Sequence, residues 1–260
     1  MKPSTLTRRP APPGVTFAGE LVFGVFERRV NRFLARVRVR GVPVAAHVPN
    51  TGRMQELLVE GAEVALEPKE QEARKCPYDL VLVRGNGTWV CVDSRRANDV
   101  FEAVLRSMRG PDPLPLDGQT PPLLRRAPGY RREVSFGRRR FDFELNPGGE
   151  AALVEVKSVN LVEGGAALFP DAPTERGAHH LELMAELSRK GRPCMVAFVV
   201  MRADAERFEP NAAVDPRFAC ALREARAAGV EVFALGCEAS PLGLFARRIL
   251  PVALSWDERG

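Results

Sequence analysis

The sequence predicts an α+β chain in two parts, a small β-barrel followed by a mixed sheet flanked by helices. Three observations predict it. Short runs with strand-like alternation crowd the first 95 residues. A proline-rich stretch, 110–129, then interrupts the pattern with six prolines. From Arg131 the rhythm becomes strand, hairpin, strand, helix, strand, helix, strand, which suits helices packed on a mixed sheet.

The first strand is "FLARVRVR" (33–40), where Val37 and Val39 fall on one face and Arg36, Arg38 and Arg40 on the other. Further short strands are expected at "VPVAAHV", "EVALE", "DLVLVR" and "TWVCVD", separated by Gly, Pro and Asn turns. Such a series suggests a small barrel, an OB-like barrel being one candidate. Asn98 is placed to cap a helix running to about Met108. The prolines of 110–129 exclude a long helix or a central strand there, so that segment reads as a linker or surface insertion. Beyond it, "RFDFEL" and "ALVEVK" flank the turn sequence "NPGG". A helix over 174–190 opens at Pro173-Thr174 and stops at Gly191. "CMVAFVV" (194–200) is a buried strand, Pro216 starts a second helix that Gly229 ends, and "VEVFAL" is another strand. The expected division is a barrel over 15–95, a helix and proline-rich linker or insertion over 96–130, and the mixed sheet over 131–260.

Composition narrows the function classes. With 45% apolar and 27% charged residues the chain has the balance of a soluble globular protein. Its longest apolar run, "CMVAFVVM" (194–201), is far too short to span a bilayer, so no membrane partner is expected. The opening "MKPSTLTRRPAPPG" lacks the apolar core of a secretory leader. The five cysteines are odd in number and form no C-x-x-C pair, which argues against a disulfide framework or a zinc knuckle and for a cytoplasmic location. The net charge is +5, and arginines 28, 29, 32, 36, 38 and 40 are concentrated in one short segment. A solvated surface is the plainer explanation of such a stripe; a polyanion partner is the sharper one.

The residues that carry chemistry lie at the hairpin. Residues directly opposite in a hairpin have a constant index sum, and a turn centred between Gly148 and Gly149 sets Asp142 against Glu155 on one face. Lys157 follows on that same face, about 6.6 Å further along the strand. Two facing carboxylates repel unless a cation compensates them, and Mg²⁺ favours one or two carboxylates completed by water and phosphate oxygens. Such an ion polarises a phosphodiester and acidifies an attacking water, while a nearby ammonium stabilises the developing charge. The pattern is an expected site for Mg²⁺- or Mn²⁺-assisted phosphodiester hydrolysis, with Asp142 and Glu155 on the metal. Its specificity is modest: the acids and lysines of this composition give about 0.6 chance acid-x-Lys matches. Glu67-Pro68-Lys69 is a second match, without a facing aspartate. The plain alternative at 155–157 is an ion pair on an exposed strand. Near the following helix, Asp171, Thr174, Glu175 and Arg176 form an entry where phosphate binding is plausible chemistry, since helix N–H groups and a guanidinium both favour anions. His179 and His180 begin that helix, and for one of them a solvent-facing position is the plainer reading.

These stretches carry a resemblance. "RVNRFLARV", "HVPNTGRMQELL", "FDFEL", "VEVKSVNLVE", "FPDAPTERGAHHLEL" and "GVEVFAL" together resemble the sugar fermentation stimulation protein A family over nearly the whole chain. The resemblance implies an N-terminal OB-like domain joined to a domain with the PD-(D/E)xK nuclease fold, and DNA as partner, with RNA not excluded. The nuclease positions then fall on Asp142, Glu155 and Lys157. The chain departs from the family pattern in the arginines of "GRRRFDF", in Asn160, in Met201 and in a longer proline-rich segment. Arg36, Arg38, Arg40, Arg53 and Arg176 are the expected nucleic-acid contacts. Two functions are open at this point: a metal-dependent nuclease, or a DNA-binding regulator of sugar-metabolism genes that does not cleave.

Overall fold

The computed structural model describes residues 11–69, 76–109, 120–127, 129–137, 139–146 and 149–254. A lead-in strand, β1 (Gly14–Thr16), precedes the barrel strands β2 (Val22–Asn31), β3 (Leu34–Val39), β4 (Val42–His47), β5 (Glu63–Pro68) and β6 (Tyr78–Gly85). Antiparallel pairing runs β4-β3-β2-β5-β6, and β4 closes onto β6 in parallel through Ala46↔Tyr78 and His47↔Asp79. This closed five-stranded barrel is the expected OB-like element. Its core is built from Phe26, Val37, Val64, Leu66, Leu80 and Val83, all essentially inaccessible to solvent. Alternation in β3 is as read from the sequence, with Ala35 and Val37 buried and Arg36 and Arg38 exposed.

Two details of the barrel differ from the expectation. Arg40 is not on the strand face: with Gly41 it forms the β3–β4 turn, both residues at positive φ (48° and 83°). Strand β2 replaces β7 (Thr88–Cys91) as the fifth stave. β2 was hidden because two bulges, between Phe26 and Arg28 and between Arg29 and Asn31, break its alternation. β7 instead pairs with β6 and bridges to the second sheet through Ala239↔Trp89.

The helix α1 (Arg96–Ser107) follows, with no side-chain cap at its Arg95 N-cap. Asn98 therefore lies inside the first turn rather than before it. Asp93 takes the capping role from outside, its carboxylate accepting from the Arg95 main-chain N–H at 3.1 Å. The proline-rich segment lies partly outside the described residues. Its described end forms a helical turn, α2 (Pro122–Arg125), that buries Leu124.

Next come β8 (Tyr130–Phe136), β9 (Arg139–Leu145), β10 (Ala152–Val159), β11 (Leu161–Glu163), β12 (Ala166–Phe169), α3 (Glu175–Arg189), β13 (Cys194–Val200), β14 (Arg207–Pro210), α4 (Pro216–Ala227), β15 (Glu231–Ser240) and β16 (Gly243–Leu250). The large sheet has the order β8-β9-β10-β13-β15-β16, with β10, β13 and β15 parallel and β1 on the β16 edge. It is mixed, as expected. Strands buried on both faces need apolar side chains in both directions. Accordingly Val154, Val156 and Val199 face α1, while Leu153, Val196 and Phe198 face α3 and α4. Thr174 caps α3 by accepting from Gly177 N–H, and Asp215 caps α4 by accepting from Phe218 N–H. β11, β12 and β14 form a small separate sheet.

Candidate functional site

β9 and β10 pair as Ala152↔Leu145, Leu153↔Glu144 and Val154↔Phe143, the register in which Asp142 is the next partner of Glu155. The main-chain ladder ends there. Asp142 substitutes for it: its Oδ2 accepts from the Val156 N–H at 2.8 Å, and its Oδ1 from the Asn98 side-chain amide at 2.9 Å. α1 thus reaches across the sheet end to hold the aspartate. Residues Pro147 and Gly148 of the hairpin turn lie outside the described residues.

Glu155 is 7% exposed, and its Oε1 accepts from Lys157 Nζ at 2.5 Å. His180 of α3 brings Nδ1 to 2.9 Å from the same oxygen, close enough to pair electrostatically but without hydrogen-bond alignment. The ring is 2% exposed and stacks on Phe141, so of the two adjacent histidines His180 is the buried one. The two carboxyls are pushed apart in acidity. Burial and the Glu155 charge raise the Asp142 pKa against weaker support from Val156 and Asn98. Burial would also raise Glu155, but His180 and Lys157 outweigh it and hold that carboxyl below its usual value. Glu155 thus has cationic partners that Asp142 lacks, and a cation between the two would offset the Glu155 charge that Asp142 faces.

The other E-x-K match turns out differently. Glu67 is inaccessible to solvent and is bound by Lys69, by the Ala18 N–H at 2.7 Å and by Arg96 at 2.9 and 3.0 Å. Every one of these partners is internal, so this acid ties the barrel to α1.

The expected nucleic-acid residues are not equivalent. Arg36 and Arg38 share Glu27 in ion pairs, which reduces the charge they present. Arg40, Arg53 and Arg176 are exposed and have no acid partner among the described residues. Arg32 is likewise unpartnered, while Arg29 is structural. Its guanidinium donates to the carbonyls of Arg32, Asn50, Gly52 and Arg53 at 2.7–3.0 Å, fixing the loop that carries Arg53.

That loop docks on the second sheet. Asp171 accepts from Met54 N–H at 3.3 Å, and a Cβ on Gly52 would fall 2.5 Å from the same carboxylate, so only glycine fits. Asn50 donates to Asn160 Oδ1 at 3.2 Å, and Asn160 donates to the Cys91 carbonyl at 2.6 Å. Sequence reasoning missed Asn50, the linking role of Asn160 and the contact of Asn98 with Asp142, having read Asn98 as a helix cap. Amides make contacts of this kind at any separation along the chain, and periodicity carries no trace of them. Asp171 was noticed, but as part of a phosphate entry rather than as this anchor.

The chain matches two adjoining families, one described as the SfsA N-terminal OB domain over residues 28–92 and one as the sugar fermentation stimulation protein RE domain over 95–243. A sugar fermentation stimulation protein homolog of Natranaerobius thermophilus is 42% identical over 237 residues, 91% of this chain and 95% of that protein. The homolog of Acetivibrio thermocellus is 43% identical over 222 residues, 85% of this chain and 90% of its own length. The structure of Pyrococcus furiosus SfsA in complex with Ca²⁺ superposes with a TM-score of 0.80 at 29% identity, covering 92% of this chain and 99% of that one.

Proposed function

The chain belongs to the sugar fermentation stimulation protein family, and from that premise we propose that it binds nucleic acid, DNA in the first place, and hydrolyses its phosphodiester bonds with a divalent cation at Asp142 and Glu155. The observation that carries the reading is geometric: Asp142 is the next partner of Glu155 across the β9–β10 hairpin, and Lys157 Nζ lies 2.5 Å from the Glu155 carboxylate. No cluster of three or more histidine, cysteine or acidic side chains suitable for a metal occurs among the described residues. A two-carboxylate donor set of this kind fits Mg²⁺ or Mn²⁺, which keep waters and take phosphate oxygens, better than it fits a metal needing a full protein cage. That the Pyrococcus furiosus relative is described in complex with Ca²⁺, another oxygen-seeking cation, supports the same donor chemistry.

When bound, such a cation supplies charge at the phosphate and a more acidic water. The chain's own residues do the rest. Asn98 and the Val156 N–H orient Asp142, and His180 keeps Glu155 ionised in a buried setting. Lys157 places an ammonium where negative charge grows on the phosphorus oxygens. The unpartnered arginines 32, 40, 53 and 176 offer phosphate contacts that set position without reading sequence.

The 2.5 Å Lys157–Glu155 contact favours a second reading, in which the pair is a plain salt bridge and the protein is a DNA-binding regulator without cleavage. Incubation of purified protein with single- and double-stranded DNA and RNA, with and without Mg²⁺ or Mn²⁺, separates the two. The nuclease reading expects metal-dependent cleavage, lost in Asp142→Asn, Glu155→Gln and Lys157→Ala, with calorimetric Mg²⁺ binding kept only in the lysine variant. No cleavage and no metal heat in the wild type would leave the regulator.

A further inference from the structure

The turn between β2 and β3, Asn31-Arg32-Phe33, holds an aromatic ring out in solvent. Phe33 is 49% exposed, although burying a phenylalanine is ordinarily favourable. Its ring is nevertheless held in place, stacked on His47 of β4 with 6.4 Å between centroids and 21° between planes. His47 is braced in turn, its Nδ1 lying 3.2 Å from the Asp79 carboxylate. The main chain of Phe33 is bonded on both sides. Its N–H donates to Asn31 Oδ1 at 2.9 Å, and its carbonyl accepts from the Val48 N–H at 2.9 Å.

The surroundings of this ring are basic and partly apolar. Strand register sets Leu34 beside His47, and Arg36 between Arg28 and Ala45, on the outer face of the barrel. Val30, Leu34, Pro43 and Ala45 line an open depression there of about 230 Å³. Arg36 is paired with Glu27, but Arg28 and Arg32 are exposed and have no acid partner among the described residues. Arg32 also lines, with Arg53, a second pocket of about 370 Å³. One rigid turn therefore presents a ring and guanidinium groups together. Unpaired nucleic acid offers the complement, a base face for the ring and phosphates for the cations. A second copy of the chain suits the face less, because a two-fold contact sets the same patch against itself and would gather Arg28 and Arg32 of both copies into one interface. The second and third staves of a five-stranded barrel closed in this order, with the turn leading into them, commonly take oligonucleotides.

We propose that Phe33 is a stacking platform for one base of an unpaired strand crossing the outer face of the barrel, so that open strands are bound in preference to closed duplex. This rests on the nucleic-acid part of the proposed function and is independent of the metal and of cleavage. In a duplex each base face is already covered by its neighbours, and the ring adds nothing to the phosphate contacts. In an open strand the base face is free, and its transfer onto a fixed ring carries no cost of ordering the protein.

The test measures binding in EDTA, at one fixed salt concentration, by fluorescence anisotropy. The probes are a labelled oligothymidine and a labelled closed dumbbell duplex. The wild type should prefer the open strand by about tenfold, the effect of one stacked base. Phe33→Ala should lower open-strand affinity about tenfold and duplex affinity less than twofold. Phe33→Tyr, which keeps a ring, should stay within about twofold of wild type on both probes. Phe33→Leu keeps apolar bulk without a ring and should behave as Phe33→Ala does; it decides the matter if a thermal melt shows that the alanine variant does not fold. Full open-strand affinity in the folded leucine variant, or an equal loss on both probes, overturns the platform alone. So does a dimer in sedimentation that Phe33→Leu abolishes, which would assign the face to self-association. Wild-type binding of neither probe would sink the nucleic-acid reading and the platform with it. A ring-dependent preference without metal-dependent cleavage of any substrate would sink cleavage and leave the platform standing.

Discussion

Under the proposed function, Asp142 is oriented by Asn98, a residue 44 positions earlier whose amide lies 2.9 Å from its Oδ1. Groups that orient a metal-binding carboxylate commonly matter about 10–100-fold in affinity or activity. Asn98→Ala should therefore weaken Mn²⁺ binding in calorimetry by about tenfold while the melting temperature stays within a few degrees. Unchanged metal affinity would reduce Asn98 to a packing contact. Glu155 shows why residue type alone does not announce a site. It and Glu67 both sit two residues before a lysine, yet Glu67 is enclosed by Arg96, Lys69 and a main-chain N–H, whereas Glu155 faces a second acid. The facing acid was legible in the hairpin index sum, but the buried histidine beside it was not.

Strand β2 brings Glu27 between Arg36 and Arg38 of β3, so the most regular part of the basic stripe is partly neutralised where it stands. Under the proposed function, Glu27→Gln should tighten binding to duplex DNA at low salt and steepen its salt dependence. Arg32→Gln should flatten the log–log salt slope by about 0.9, the value of one phosphate contact. A salt titration that leaves both slopes at the wild-type value would show the stripe to be solvated surface. Strand β13 is buried along its whole length. Phe198 is inaccessible, lies 4.0 Å from Phe208 centroid to centroid and contacts the Phe169 and Phe218 rings. Phe198→Ala should cost about 3–5 kcal/mol in denaturant unfolding, since the cavity would sit between β13 and both α3 and α4. A loss below about 1 kcal/mol would mean that this side of the sheet repacks freely.

The barrel and helix α1 are joined by buried charge. Glu67, Asp79 and Asp93 are all inaccessible, and Arg95 and Arg96 at the start of α1 reach them. Burial would raise the Glu67 pKa, but Lys69, Ala18 N–H and Arg96 together hold it below the usual carboxylate value. A depressed folded-state pKa contributes stability that is present above the unfolded value and lost as pH falls through the folded one. Glu67→Gln should thus cost about 3–5 kcal/mol at pH 7, as when one member of a buried pair is removed. The gap to wild type should narrow as pH drops below the ordinary glutamate range. Thermal melts from pH 7 to pH 3 check this, and a gap that does not change with pH would assign Glu67 a shape role only. Among the described residues no helix is long and apolar enough to cross a membrane.

The sequence by itself determined the fold class of a barrel followed by a mixed sheet with helices, the alternation of β3, the Thr174 and Pro216 helix starts, and the hairpin register that pairs Asp142 with Glu155. These depend on period, turn chemistry and index arithmetic, all local properties of the chain. Only the tertiary structure decided that β2 rather than β7 closes the barrel, that Arg40 turns off the strand face, that Asn98 serves Asp142 instead of capping its helix, and that His180 is buried against Glu155. Each of those outcomes depends on a partner far away in sequence. Which long-range partner a polar group finds is set by how the barrel, α1 and the sheet pack together, and local pattern does not encode that packing.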